Sequence, residues 1–318
     1  MKKFIALFVG CLLILSSALF VGCNKENENI VKYVGLKVYD PVYIAKDKGF
    51  FEEEGIDVEI VDVVAGGATA TQMVASGDVQ AGLLSTMALI NAKSSGLSVI
   101  GVADIQSAFN ESPLEEFFVK KDSGINSVAD LKGKTIAINL VKSSFHYTWV
   151  LALKNAGLKE TDVNFVNIPF SEQESALMSG RVDAIGLMQP YTKSARTNDG
   201  LKTLYNAVDC FGERQFCEIF MNETWANKNV DKATKFVSAI VKACKWVEEN
   251  QLEAKQIISK YSGVSIENID DYKFQENAKC VEEDCQYWIN FMAEYEGVSN
   301  IKVSDIVTNR FNKYESKN

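Results

Sequence analysis

Histidine is close to absent from this chain: His146 is the only one in 318 residues. One imidazole does not furnish an acid, a base and a metal ligand together, which weighs against an enzyme that needs all three. No C-x-x-C pair occurs, so cysteine offers no structural zinc site. Arginine is scarce, with four residues, and lysine plus arginine total 33 against 42 acidic side chains, a formal net charge of −9. A chain this short of positive charge lacks the basic face that phosphate backbones require, and nucleic acid is excluded as a partner. There is no low-complexity segment. The 24% charged and 47% hydrophobic residues are those of a globular protein, and 318 residues suffice for about two domains.

What is present at the front is more specific. Lys2 and Lys3 precede an apolar run from Phe4 to Val21, broken only by Gly10, Cys11 and Ser16-Ser17. Charge followed by an apolar stretch is the order of an export signal. The run approaches the ~20 residues that span a bilayer, so an uncleaved anchor is the rival reading. The ending decides between them. Leu19-Phe20-Val21-Gly22-Cys23, with a polar tract from Asn24 to Asn29 behind it, resembles the lipobox of bacterial lipoproteins, with Phe20 where leucine is usual. That resemblance implies a signal peptide over 1–22, a lipid on Cys23 and a tether over 23–30. The mature protein is then held by its lipid on the extracytoplasmic face of the cell membrane. Without residues 1–22 the balance is 31 basic against 42 acidic side chains, or −11.

Seven cysteines shrink to five once Cys11 leaves with the signal and Cys23 takes lipid: Cys210, Cys217, Cys244, Cys280 and Cys285. An odd set cannot be fully paired. They read as small buried hydrophobes, with Cys210–Cys217 left open as a disulfide. Cys280 and Cys285, five apart on an expected helix, fall on different faces.

The chain states one pattern twice. Ile44 to Val58 is an amphipathic helix closed by Gly49, then a turn at Gly55 and a strand. Gly66-Gly67-Ala68 opens a second helix, and Ala75-Ser76-Gly77-Asp78-Val79 leads to another strand. About a hundred residues later a helix closes at Gly157. Asp162 to Ile168 then reads as a strand, Ser171 to Met178 as a helix, and Ser179-Gly180-Arg181-Val182-Asp183-Ala184 enters a strand. The rest fills in around this frame: strands over 31–38, 57–64, 79–84, 97–103, 134–139 and 201–205, a crossover at 116–121, and a return at 215–221. Helices are expected over 42–49, 69–75, 86–94, 144–156, 231–250, 252–261, 277–295 and 303–311, with a short capped turn at 127–131. Alternating strands and helices mean βαβ units and an α/β fold.

Taken in order, Ile44-Ala45, Gly49-Phe50-Phe51, Gly55-Ile56-Asp57-Val58, Gly66-Gly67 and Ser76-Gly77-Asp78-Val79 are similar to the first lobe of the nitrate/sulfonate/taurine/thiamine-precursor group of solute-binding proteins. Val128-Ala129-Asp130-Leu131-Lys132-Gly133-Lys134, Ser179 to Ala184 and Gln189-Pro190 match its second lobe. Each motif alone is weak; five in order over residues 30 to 310 are strong. Gln189 stands where that family usually has Glu, and Gln80 where it has Asp. The resemblance implies a two-lobed periplasmic binding protein type II fold, with mixed, mostly parallel sheets flanked by helices around a hinged cleft. Residues 31–115 with 212–318 would form one lobe and 118–208 the other. It also implies a monomer that needs no cofactor, binds a small-molecule ligand and hands it to the permease and ATPase of an ABC importer.

In open α/β sheets ligands sit off the carboxyl ends of strands. Four loops qualify. Tyr39-Asp40-Pro41-Val42-Tyr43 offers two aromatic rings and a carboxylate, or plain packing. Gly66-Gly67-Ala68 lets backbone N–H groups approach a ligand, or is only a tight turn. Ser85-Thr86 repeats that arrangement. Lys142-Ser143-Ser144 with His146 supplies hydroxyls that cap a helix or meet a ligand oxygen. Gln189, Tyr191 and Glu218 complete the candidate wall. Lys142 and Arg214 suit an anion such as a sulfonate or nitrate; Asp40, Asp104 and Glu218 suit an amine or protonated heterocycle. Whichever set faces the cleft fixes the ligand's polarity. Few arginines and the tyrosine pair favour a planar or amine-bearing solute. No catalytic or metal-ligating residue is assigned.

Two rivals to a carrier share the fold. One branch resembling this family makes the thiamine pyrimidine with a cysteine-rich motif and histidine, yet no cysteine cluster of that kind lies in 140–220. The other is a lipoprotein sensor, which differs in its membrane partner.

Overall fold

The computed structural model describes residues 29–64 and 66–314. Cys23 and the expected signal lie outside them. From Val31 onward the chain forms one compact unit.

β1 (Ile30–Leu36) leads into α1 (Pro41–Asp47), whose start is dictated locally: Asp40 accepts the Val42 N–H at 2.9 Å and Pro41 occupies the first turn. A one-turn α2 (Phe50–Glu53) turns the chain into β2 (Asp57–Val64). α3 (Gly67–Ser76), β3 (Ala81–Ser85) and α4 (Thr86–Ser94) follow, with Ser85 capping α4 through the Ala88 N–H. β4 (Val99–Ala108) is ten residues long and buried throughout, which carries it past the expected end at Ala103.

The chain then changes sheets. β5 (Glu115–Lys120), a capped 3-10 turn at Val128–Leu131, β6 (Thr135–Ile138) and α5 (Ser144–Asn155) come first. β7 (Asn164–Asn167), α6 (Phe170–Met178), β8 (Ala184–Met188), α7 (Thr192–Thr197) and β9 (Leu201–Asn206) follow. A short α8 (Ala207–Phe211) returns the chain to the first sheet as β10 (Arg214–Asn222). α9 (Glu223–Lys228), α10 (Val230–Glu249), α11 (Gln251–Ser262), α12 (Glu282–Glu296) and α13 (Val303–Ile306) close the fold.

Two five-stranded mixed sheets result, ordered β2-β1-β3-β10-β4 and β7-β6-β8-β5-β9. β1–β3, β6–β7 and β6–β8 pair in parallel, whereas β10 and β5 run antiparallel to both neighbours. The main core unites the faces of both sheets. A smaller cluster around Phe118, Ile168, Leu177 and Ile185 fills the outer side of the second. At Gly186 a β-carbon would lie 2.7 Å from the Phe117 ring and 2.9 Å from the Phe145 ring, so only glycine fits there.

Two expected helices are shorter than their apolar spacing suggests. Asn277 and Ala278 take positive φ (55° and 51°), so the 277–295 helix begins only at Glu282 and Cys280 lies outside it. The 303–311 helix stops at Ile306 because the chain turns extended there. Val307 bridges to Gly101, and the Thr308 N–H donates to Gly101 O at 2.9 Å. Cys210, Cys217, Cys244, Cys280 and Cys285 are all free thiols, which closes the question of a Cys210–Cys217 bond in this structure.

Candidate functional site

The first sheet places two acids against each other. Asp104 on β4 is the register partner of Glu218 on β10, and both side chains are fully buried. Opposed residues of an antiparallel pair share a face, where like charges are unfavourable. Register slips in β10 between Gln215 and Cys217, and again between Cys217 and Glu218, set Gln106 opposite Cys217. Such bulges re-aim side chains and gather beside functional sites.

The local hydrogen bonds leave part of this group unused. Glu218 Oε1 accepts from Thr86 Oγ1 at 2.6 Å and from Gln215 Nε2, while Oε2 is buried without a partner. Asp104 accepts from Ser107 Oγ at 2.5 Å and from the Gln106 N–H at 3.1 Å. Gln106 donates its amide to Tyr39 O at 3.1 Å, and its own Oε1 is unpartnered. Tyr39 stacks on Tyr272 with centroids 4.3 Å apart, and both hydroxyls are buried and unpartnered. Gln251 fixes Tyr272 by a reciprocal pair of 2.9 Å bonds to its backbone.

The second sheet answers with Glu115 at the start of β5. It is fully buried and neither carboxylate oxygen has a hydrogen-bond partner. Thr148 and Ser144 of α5 lie close enough to favour its charged form, yet neither is placed to hydrogen-bond it. The hydroxyls of Thr148, Tyr205 and Thr192 and the carbonyl oxygen of Gln189 are likewise buried and unpartnered. Native interiors rarely leave polar atoms so, because each costs about 1–3 kcal/mol.

Charge links the two sides. Burial pushes the Glu115 carboxyl up to about 8 and the Glu218 carboxyl up to about 7, and the hydrogen bonds of Thr86 and Gln215 hold the latter rise in check. Asp104 is raised well above the usual aspartate range by burial, and the Glu218 charge adds to it. The Cys217 thiol is raised by burial and then by Glu218, Glu115 and Asp104, so each of the three carboxylates lies within electrostatic reach of that one side chain. Among the described residues no lysine or arginine pairs with any of the three. The candidates are engaged elsewhere. Lys142 is exposed and bonds Glu296 at 2.8 Å; Arg214 bonds Asp284 at 3.0 Å and lies over the Tyr287 ring; Arg196 joins Glu116 to Asp270.

Contacts flank this group on two sides. Tyr147 of α5 donates to Glu296 of α12 at 3.0 Å and accepts from Asn91 of α4 at 2.7 Å. Opposite them, Arg196 of α7 and the 3.4 Å bond from Gln189 Nε2 to Asp271 O tie the second sheet to the segment after α11. A concavity of about 480 Å³ is lined there by Glu116, Gln189, Arg196 and Asp271, and another of about 340 Å³ by Phe170, Tyr191 and Asn268.

The remaining sequence candidates are placed as follows. Asp40 is fully buried, caps α1, accepts from Tyr33 OH at 2.6 Å, and is pushed by burial to about 6. Tyr43 is spent on packing: it stacks on Tyr261 and its hydroxyl donates to Leu36 O at 2.6 Å. Gly66 and Gly67 open α3 half-buried, with Leu84 2.8 Å from where a Gly67 β-carbon would stand, and Ala68 is exposed. Ser143 caps α5, accepting from the His146 N–H and donating to Asn139. His146 is buried, its basicity is lowered chiefly by desolvation, and its Nε2 faces Glu160 Oε1 at 2.9 Å. Glu160 in turn accepts from Tyr295 of α12, so the imidazole looks toward that helix. Tyr39, Glu218 and Gln189 therefore contribute unpartnered atoms, Thr86 is bonded to Glu218 beside them, Ser144 lies near Glu115, and Lys142 and His146 turn to α12.

Glu115, Gln106, Thr148, Tyr205 and Tyr272 escaped the sequence reading. One signal was available: in Leu114-Glu115-Glu116-Phe117-Phe118-Val119 strict alternation puts Glu115 on the same face as Phe117 and Val119, a polar residue on a core face.

The family model described as NMT1/THI5 like matches residues 38–254. The 4-amino-5-hydroxymethyl-2-methylpyrimidine phosphate synthase THI13 of Saccharomyces cerevisiae is 26% identical over 234 residues, 67% of this chain and 64% of that protein. This chain thus spans somewhat under two thirds of that relative. The formylaminopyrimidine-binding protein of Halalkalibacterium halodurans is 29% identical over 227 residues, 70% of this chain and 66% of that one. Among solved structures, the periplasmic aliphatic sulphonate binding protein SsuA from Escherichia coli superposes with a TM-score of 0.72 at 18% identity, covering 88% of this chain and 92% of that one. The likeness shows the fold: α/β, two mixed sheets flanked by helices, as in periplasmic binding proteins.

Proposed function

The chain belongs to the NMT1/THI5-like family, and from that premise we propose that it is the solute-binding component of an ABC importer. It captures a small molecule between its two sheets and delivers it, unaltered, to a permease and ATPase in the membrane. The observation that carries this reading is the set of buried, unpartnered polar atoms drawn from both sheets: Glu218, Gln106 and Tyr39 on one side, Glu115, Thr148 and Gln189 on the other. A solute that satisfies both sides at once favours the closed arrangement by differential contact alone.

We take residues 31–115 with 212–318 as one lobe and 118–208 as the other, except that Glu115 opens β5 and so goes with the second sheet, and the hinge lies where the chain passes between sheets. Sheet membership supports this division. Thr86, Ser85, Gln189, Tyr191 and the glycines Gly66 and Gly67 at the start of α3 are the residues proposed to border the solute. The protein acts as a monomer on the extracytoplasmic face of the membrane, held there by a lipid on Cys23 after removal of residues 1–22.

The name of the yeast relative favours a second reading, synthesis of a pyrimidine. Against it, the one histidine faces Glu160, outside the unpartnered group. Native mass spectrometry of the purified chain separates the two. A carrier is expected to hold a small molecule that is returned unchanged on unfolding. Recovery of that molecule in altered form after incubation would establish the enzyme.

A further inference from the structure

Three carboxylates without a cation are the least balanced feature of this molecule. Asp104, Glu115 and Glu218 are fully buried. Three of their six oxygens, both of Glu115 and Oε2 of Glu218, have no hydrogen-bond partner. Asp104 and Glu218 stand directly opposite one another across β4 and β10. An ionised carboxylate buried alone is far costlier than one facing a positive group. The cations that could have neutralised them point away: Arg214 to Asp284, Arg196 to Glu116 and Asp270, Lys142 to Glu296.

We propose that the solute is a small organic cation, a protonated amine or amino-heterocycle, held by Glu115 on one side and by the Asp104–Glu218 pair on the other. Tyr39 and Tyr272 supply unpartnered hydroxyls beside it. This deepens the solute-binding reading and rests on it. An anion such as a sulfonate or nitrate would meet three acids and no base in the same space, which reverses the complementarity its recognition needs. The free hydroxyls and the Gln106 and Gln189 carbonyl oxygens accept hydrogen bonds from N–H groups, as an ammonium or amidine-like edge requires. Aromatic rings next to carboxylates suit a planar cation for the same electrostatic reason. Because the empty group lowers its own repulsion by taking up protons, entry of a cation expels them.

The test is calorimetric titration of the purified full chain with 4-aminopyridine and with methanesulfonate, near neutral pH, in two buffers of different ionisation heat. Native mass spectrometry of the untreated protein and scattering with added probe are run alongside. The amine is expected to bind with protons released to the buffer, and methanesulfonate is expected not to bind. Glu115→Gln and Asp104→Asn should each weaken the amine about ten- to a hundredfold while the unliganded melt holds or rises, since each removes a buried carboxylate. Binding of methanesulfonate and not of the amine overturns the cation assignment and leaves the solute-binding reading standing. So does amine affinity unaltered in the double variant. If neither probe binds, the co-purified solute decides: a cation supports the proposal, and an anion or neutral molecule ends it. No bound solute, no binding and no compaction would overturn both readings.

Discussion

Replacing Glu218 by glutamine should stabilise the unliganded protein, and do so only at higher pH. The substitution keeps the shape and the acceptor that Thr86 and Gln215 use, and removes the charge that faces Asp104 across the strands. Burial raises this carboxyl from the usual 4.5 to about 7. The folded state therefore holds a proton that the unfolded chain has lost between those values. Stability falls as pH rises through that window, and the penalty is complete above about 7. At about 1.4 kcal/mol per pH unit the penalty comes to about 3 kcal/mol. The neighbouring groups are Asp104 on β4, Thr86 on α4, Gln215 and Cys217 on β10, and Cys280 and Cys285 near α12, whose thiols stay protonated. Glu115 contributes a slope of the same sign to both proteins and cancels from the difference. Thermal melts of wild type and Glu218→Gln at pH 4.5 and pH 8 measure it. The variant's advantage should grow between the two by roughly 6–12 °C, taking 2–4 °C per kcal/mol. A gap that is equal at both pH values would show that Glu218 is not held in the environment described.

Gly186→Ala drives a methyl into Phe117 and Phe145 and should lower stability by about 1–3 kcal/mol, seen as a reduced urea midpoint; an unchanged midpoint would mean that the rings yield freely. Tyr272→Phe removes an unpartnered hydroxyl while keeping the stack on Tyr39, so the unliganded melt should hold or rise and solute affinity should fall. Equal affinity would place the solute away from that ring. Cys23→Ser should release the protein from the membrane fraction on cell fractionation, and full retention would refute the lipid anchor.

Local chemistry made the elements readable. Asp40 and Ser85 cap the helices expected over 42–49 and 86–94, and Asp57–Val64 is the strand expected over 57–64. Where tertiary contacts overrule local preference the reading lengthened helices: Asn277 and Ala278 break one, and the bridge from Val307 to Gly101 ends another. The site divides the same way. Tyr39, Thr86 and Gln189 sit in loops after strands, where ligands are sought by rule. The opposition of Asp104 to Glu218 depends on pairing two strands more than a hundred residues apart, bulges included, and no local pattern encodes that register. His146 shows the converse. Its position in a promising loop was plain, but the direction of its ring is set by Glu160 and α12.

The strand order also dictates when the protein becomes itself. β10 lies between β3 and β4, yet it is made only at residues 214–222, after every strand of the second sheet. The second sheet closes from a contiguous stretch, while β4 has no neighbour in the first until the chain has returned. An emerging chain thus carries a ten-residue edge destined for burial, with Asp104 in it, through about a hundred residues of synthesis or export. Long-range pairing of this kind is slow and leaves edges open to wrong partners. The acid set in that strand, unfavourable once buried, is a solubilising charge while the edge is bare.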